Sequence, residues 1–112
     1  LKEALAEHLL MNDGYTPILR ESEVPKGEGR LVVLGAKRIA VFHTDEGFFA
    51  CDDECPHAGG SLSDGPVTNC SVVCPLHFWE FDLRSGAYTD DPSTCIQTYE
   101  TKVVDGRVLV KL

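Results

Sequence analysis

Cys55-Pro56-His57-Ala58-Gly59-Gly60 and Cys74-Pro75-Leu76-His77, with sixteen residues between His57 and Cys74, decide how this chain is read. Each segment offers one thiolate and one imidazole, spaced Cys-x-His in the first and Cys-x-x-His in the second. Four such donors at close spacing form a metal-binding set. Two centres accept it. A structural zinc takes Cys₂His₂ tetrahedrally. A [2Fe–2S] core takes two histidines on one iron and two cysteines on the other. A zinc finger groups its cysteines, then its histidines, and carries the histidines on a helix. Here each half mixes the two types and lies beside Pro and Gly, on loops. Two facing loops, each giving one ligand to each iron, would grip a rhombic cluster from both sides. Reading the four as two disulfides, or as unrelated core residues, leaves the histidine beside each cysteine without a role.

Length and charge narrow the setting. The chain has 112 residues, 43% of them hydrophobic, enough for one domain with a modest core. No apolar run approaches a membrane span, and charges from Lys2 to Glu7 interrupt the apolar positions in a way unlike a signal peptide. The net charge is −8 with a pI near 4.8, which argues against nucleic acid or an anionic membrane as partner. It suits a carrier docking on a basic patch of a redox partner, and equally suits plain solubility. Besides Cys55 and Cys74 the chain has Cys51, Cys70 and Cys95. That odd remainder predicts reduced thiols and a cytoplasmic location.

The rest of the chain reads as short strands after one helix. Leu1, Leu5 and Leu9 recur at helical spacing and Asn12-Asp13-Gly14 stops the pattern, predicting an amphipathic helix over 2–12, an extension occupying 1–14. From Tyr15 to the C-terminus the pattern is β. Tyr15–Leu19 is a first strand. Arg30–Leu34 and Lys37–His43 form a hairpin about Gly35-Ala36, and Phe48–Cys51 follows. Pro66–Asn69 and Ser71–Cys74 pair between the two motif loops, and Glu80–Leu83 leaves the second loop. Asp90-Asp91-Pro92 reads as a polar loop. Ile96–Val104 and Arg107–Leu112 flank Asp105-Gly106, a strong hairpin signal. This predicts an all-β fold, a small antiparallel sandwich or barrel over 15–112, with the metal-binding part at about 52–83.

On these residues the chain resembles the Rieske [2Fe–2S] family, whose pattern is Cys-x-His followed by Cys-x-x-His. The resemblance extends to Leu31–Phe42, to Cys74–Leu83 with Ser85-Gly86, and to the C-terminal stretch. Cys95-Ile96-Gln97-Thr98-Tyr99 with Lys102–Val108 is similar to the small subunit of assimilatory NAD(P)H-dependent nitrite reductase. The resemblance implies one [2Fe–2S] cluster held by Cys55, His57, Cys74 and His77. With both irons ferric the core carries two positive charges, which two thiolates neutralise. Reduction is therefore easier than for a dianionic all-cysteine cluster, in a window of roughly −150 to +300 mV. High-potential relatives carry a Ser, a Tyr and a loop-joining disulfide that tune the cluster upward. Trp79, Phe81, Gly60 and Leu76 stand at those positions here, which implies the low-potential branch.

Three functions follow as expectations. The first is the electron-transfer subunit of an NAD(P)H nitrite reductase, partnered by a large subunit with flavin and sirohaem. The second is a ferredoxin serving an aromatic-ring dioxygenase, between a flavin reductase and an oxygenase. The third is a zinc-stabilised interaction module. No catalytic residue is predicted. The chain has no dinucleotide fingerprint or phosphate loop, so it would receive electrons from a flavin or another carrier. Trp79 is expected to pack beneath the second loop. Cys51 and Cys70 are expected as small buried hydrophobes, and His8 and His43 as residues outside the metal set.

Overall fold

The computed structural model describes residues 14–56 and 59–112. The predicted N-terminal helix lies outside them. The strands are β1 (Tyr15–Arg20), β2 (Gly29–Leu34), β3 (Lys37–Thr44), β4 (Gly47–Asp52), β5 (Val67–Thr68), β6 (Ser71–Val73), β7 (Glu80–Asp82), β8 (Ala87–Tyr88), β9 (Asp91–Cys95), β10 (Thr98–Val104) and β11 (Arg107–Lys111). They form two antiparallel sheets, as the all-β expectation required. The six-stranded one runs β1-β11-β10-β4-β3-β2 and is nearly closed, barrel-like. The five-stranded one runs β5-β6-β7-β8-β9 and carries the second motif loop between β6 and β7.

The predicted hairpins form where the turn chemistry placed them. Gly35 opens the β2–β3 turn at φ 62°, and Asp105 and Gly106 both take positive φ at the β10–β11 turn. The segment read as a polar loop, Asp90-Asp91-Pro92, instead enters strand β9. Pro92 is tolerated because β9 is an outer strand of its sheet, where a missing N–H costs no ladder bond. The expected strand Ile96–Val104 begins two residues later, at Thr98, with Ile96 and Gln97 joining β9 to β10.

β3 is the wall between two cores. Its residues 39–42 are all fully buried, so both faces of the strand are covered. Side chains alternate across a strand. Ile39 and Val41 therefore join Val24, Phe48, Ala50, Val108 and Val110 on the barrel side. Ala40 and Phe42 point the other way, into a core with Leu62, Val72, Phe81, Leu83, Cys55 and Cys74. Burying a side chain such as Phe42 or Phe81 is worth about 1.5–3 kcal/mol. The second core therefore anchors the segments that carry both motif cysteines.

Candidate metal centre

The two motif loops are built to one plan. Loop 1 is closed at its base by an antiparallel bridge between Glu54 and Ser61, and loop 2 by the pairing of Val73 with Glu80. In both, the closing pair lies one residue before the cysteine and six after it. The Cys55 N–H donates to the Gly60 carbonyl at 2.8 Å, and the Cys74 N–H to the Trp79 carbonyl at 2.8 Å. The Gly59 N–H donates back to the Cys55 carbonyl at 2.8 Å, and the Phe78 N–H to the Cys74 carbonyl at 2.9 Å. Gly59 and Phe78 both have positive φ, 71° and 63°. The same pair of closing hydrogen bonds is thus made twice, once with a glycine at the left-handed position and once with a phenylalanine.

The sequence-predicted residues fall as follows. Cys55 and Cys74 are buried in the same core cluster, and neither is in a disulfide. His77 is exposed at the tip of loop 2, next to Leu76 and Phe78, which are 54% and 76% exposed. His57 lies outside the described residues. A Cβ added to Gly60 would stand 3.0 Å from Cys74 Sγ and 3.0 Å from Leu76 Cγ, so the two loops meet there. A side chain at residue 60 would require Cys74 Sγ or Leu76 to give way by a few tenths of an ångström. Gly60 and Leu76, where high-potential relatives would carry cysteines, are thus apposed across the loops. Among the described residues, which leave out His57, no three His, Cys, Asp or Glu side chains form a group that could hold a single ion. A two-iron core asks instead for ligands divided two and two.

Beneath loop 2, Trp79 is half-buried and stacks on Tyr88, centroids 4.0 Å apart and planes 4° from parallel. Phe81 is fully buried and lies 5.7 Å from the Tyr88 ring. The Tyr88 hydroxyl is turned to Asp90, donating to Oδ2 at 3.3 Å. Burial, with the Asp90 charge, pushes its phenol up. Cys51 and Cys70 are buried as expected. Burial raises both thiols, at Cys51 with help from Asp53 and Asp52, so they remain protonated. Cys95 is exposed, with its thiol 3.4 Å from the Pro92 carbonyl. His43 is a packing residue: it stacks on Phe48 at 4.2 Å, and Nδ1 lies 2.8 Å from the Val24 carbonyl.

Two residues of this region escaped the sequence. Phe78 gives no sign by residue type that it adopts positive φ. Asp53 stands in an acidic run, Asp52-Asp53-Glu54, yet its side chain is buried. The Ser61-x-Ser63 spacing opposite it was the one available clue.

A profile described as the Rieske [2Fe–2S] domain matches residues 14–100. The chain is 41% identical over 90 residues to a 3-phenylpropionate/cinnamic acid dioxygenase ferredoxin subunit of Photorhabdus laumondii, covering 79% of this chain and 85% of that one. It is 37% identical over 99 residues to an anthranilate 1,2-dioxygenase ferredoxin subunit of Burkholderia cepacia, covering 88% and 92%. Among solved structures it is similar to a Sphingomonas yanoikuyae B1 ferredoxin, with TM-score 0.79, 28% identity and coverage of 88% and 98%. It is also similar to a Mycobacterium tuberculosis protein assigned as an NADH-dependent nitrite reductase small subunit, with TM-score 0.78, 27% identity and coverage of 86% and 92%.

Proposed function

Because the chain belongs to the Rieske [2Fe–2S] domain family, we propose that it is a ferredoxin that delivers single electrons to the oxygenase component of an aromatic-ring-hydroxylating dioxygenase. Family membership brings one Rieske-type [2Fe–2S] cluster, a one-electron carrier whose histidine ligation raises its potential above that of all-cysteine clusters. In this reading Cys55 and Cys74 hold one iron through their thiolates. His57 and His77 hold the other, each through a ring nitrogen. The residues fit the group: two buried cysteines outside any disulfide, a tip histidine, and a glycine where loop 1 closes against Cys74 Sγ.

The chain's own residues divide the work. The core around Phe42, Leu62 and Phe81 keeps water from the cysteines. The tip of loop 2 presents His77 to a partner, with the exposed Leu76 and Phe78 available to displace water at the contact. A net charge of −8 favours a partner with a basic rim. None of the five cysteines is in a disulfide, which suits a reducing cytoplasm. Among the described residues no helix is long and apolar enough to cross a membrane.

The observation that favours the dioxygenase reading over the nitrite reductase reading is the 41% identity, over most of both chains, to a dioxygenase ferredoxin subunit. The fold does not discriminate, since a ferredoxin in complex with the oxygenase of carbazole 1,9a-dioxygenase and a nitrite reductase small subunit both match with TM-score 0.78. The test is reconstitution. NADH, a flavin reductase and this chain are combined with the oxygenase component of anthranilate 1,2-dioxygenase, its own ferredoxin omitted. The reading expects substrate-dependent oxygen uptake that requires this chain. No oxygenase turnover, with nitrite-dependent NADH oxidation by a large sirohaem subunit requiring the chain, would overturn it in favour of nitrite reduction.

A further inference from the structure

Asp53 is the only charged side chain buried among the described residues, at 1% exposure. A carboxylate taken from water is costly unless its oxygens are satisfied. Here they are: Ser61 Oγ donates to Oδ2 at 2.5 Å, and the Ser63 N–H donates to Oδ1 at 2.8 Å. The Arg38 guanidinium stands 4.0 Å from Oδ2, itself more than half exposed. The Asp53 backbone adds two more ties, its N–H donating to the Arg38 carbonyl at 3.0 Å and its carbonyl accepting from the Leu62 N–H at 2.8 Å. Asp53 therefore joins the chain entering loop 1 to the chain leaving it, and joins both to β3.

The repeated loop plan shows that this carboxylate is not needed for closure alone. Two residues before the cysteine, loop 2 has Val72 where loop 1 has Asp53. Seven residues after it, loop 2 has Phe81 where loop 1 has Leu62. Val72 and Phe81 face each other across β6 and β7, both fully buried, and close loop 2 by apolar packing. Loop 1 replaces that valine by a negative charge. The Asp53 and Cys55 Cα atoms are two peptide units apart, at most about 7 Å. A buried charge at that range is poorly screened by solvent.

We propose that Asp53 is a positioning residue of the metal centre: it clamps loop 1 at both ends, and its buried negative charge holds the reduction potential down, with Arg38 offsetting part of that charge. The inference rests on the ligand assignment above. It adds a second lever to the missing hydroxyls at residues 79 and 81. Adding an electron beside a fixed negative charge is disfavoured, so removing that charge must favour the reduced form.

The test is a spectroscopic redox titration of cluster-loaded wild type, Asp53→Asn, Arg38→Gln and Ser61→Ala, with the rate of iron loss to a chelator measured on each. Asp53→Asn should raise the equilibrium constant for reduction by about tenfold, which for a one-electron couple is about 59 mV. Arg38→Gln should move it the other way by about two- to threefold. Ser61→Ala keeps the charge and loses one tie, so it should leave the midpoint within about twofold of wild type while iron is lost several-fold faster. An Asp53→Asn midpoint equal to wild type contradicts the proposal, whatever its rate of iron loss. Should Asp53→Asn fail to hold iron, the downward shift of Arg38→Gln carries the proposal and its absence overturns it. Failure of the ligand assignment is read separately, as a wild-type centre without coupled imidazole nitrogens.

Discussion

Phe78 holds in the second loop the backbone conformation that Gly59 holds in the first. Their φ angles are 63° and 71°, and each N–H donates to the carbonyl of its own loop's cysteine. For a residue with a side chain that conformation costs about 1–2 kcal/mol. Phe78 is 76% exposed, so packing within the fold returns little of this. A strained, exposed aromatic beside His77 is explained if its contact surface serves a partner.

Phe78→Gly should therefore stabilise the cluster-loaded protein and weaken its coupling to the proposed oxygenase partner. Relief of strain is offset by about 0.5–1 kcal/mol from the freedom glycine has when unfolded. The net gain is about 0–1.5 kcal/mol, a rise of up to several degrees in Tm. Thermal melts measure the first effect, and turnover against oxygenase concentration measures the second as a raised KM. A variant that loses stability, or that couples as tightly as wild type, contradicts this role for Phe78.

Gly60→Ala tests the approach of the two loops. Its Cβ would press on Cys74 Sγ and Leu76 Cγ at 3.0 Å each. The Leu76 side chain is exposed and can yield, whereas Cys74 is buried and yields less readily. The variant should fold, since one methyl asks Cys74 for a shift of only a few tenths of an ångström, but it should bind less iron and sulfide per chain. Full iron occupancy with unchanged spectra would show that the loops stand farther apart than described.

Tyr99 gives a pH dependence. Its hydroxyl donates to Asp52 Oδ1 at 2.6 Å, and burial, then Asp52, pushes the phenol from 10.0 up to about 12. The folded chain thus holds the phenolic proton more tightly than the unfolded chain. The stability this contributes is fully present below about pH 10 and is lost as pH rises through about 12. Denaturant melts at rising pH should show wild type losing stability relative to Tyr99→Phe across that window. Parallel pH profiles for the two would contradict it.

The potential tests the branch of the family. Phe81 is fully buried in the cluster that holds both cysteines, and it offers no hydroxyl where high-potential relatives have a Tyr. A hydrogen bond to a charged group is worth on the order of 1.5–3 kcal/mol, and half of that discriminating between redox states shifts a midpoint by tens of millivolts. The centre should therefore titrate near the lower end of the family window, about −150 mV, and Phe81→Tyr should raise it. A wild-type midpoint above about +100 mV in a spectroscopic titration would contradict the low-potential assignment.

Much of this was legible in the sequence because the chemistry is local. Cys-x-His and Cys-x-x-His beside Pro and Gly announced two loops, and Gly35-Ala36 and Asp105-Gly106 announced their hairpins through turn geometry. What was not legible depended on tertiary position. Pro92 argued against a strand until β9 proved to be an outer one. Nothing in the acidic run itself marks Asp53 for burial, because only the fold brings Ser61, Ser63 and Arg38 to it. The resemblance of Cys95–Tyr99 and Lys102–Val108 to nitrite reductase small subunits pointed to one partner, while identity along most of the chain favours another. Two-loop Rieske folds serve both, so local similarity far from the loop tips does not decide what docks there.

The central claim is that Cys55 and Cys74 hold one iron and His57 and His77 the other. Pulsed EPR of the dithionite-reduced protein tests it most directly, on wild type, His57→Ala, His77→Ala and His43→Ala. The account predicts a rhombic signal of low average g with two coupled imidazole nitrogens in wild type and in His43→Ala, and loss of that signature in each of the other two. An all-cysteine type of signal, colourless protein with stoichiometric zinc, or nitrogen couplings that vanish in His43→Ala and persist in His57→Ala, would contradict it.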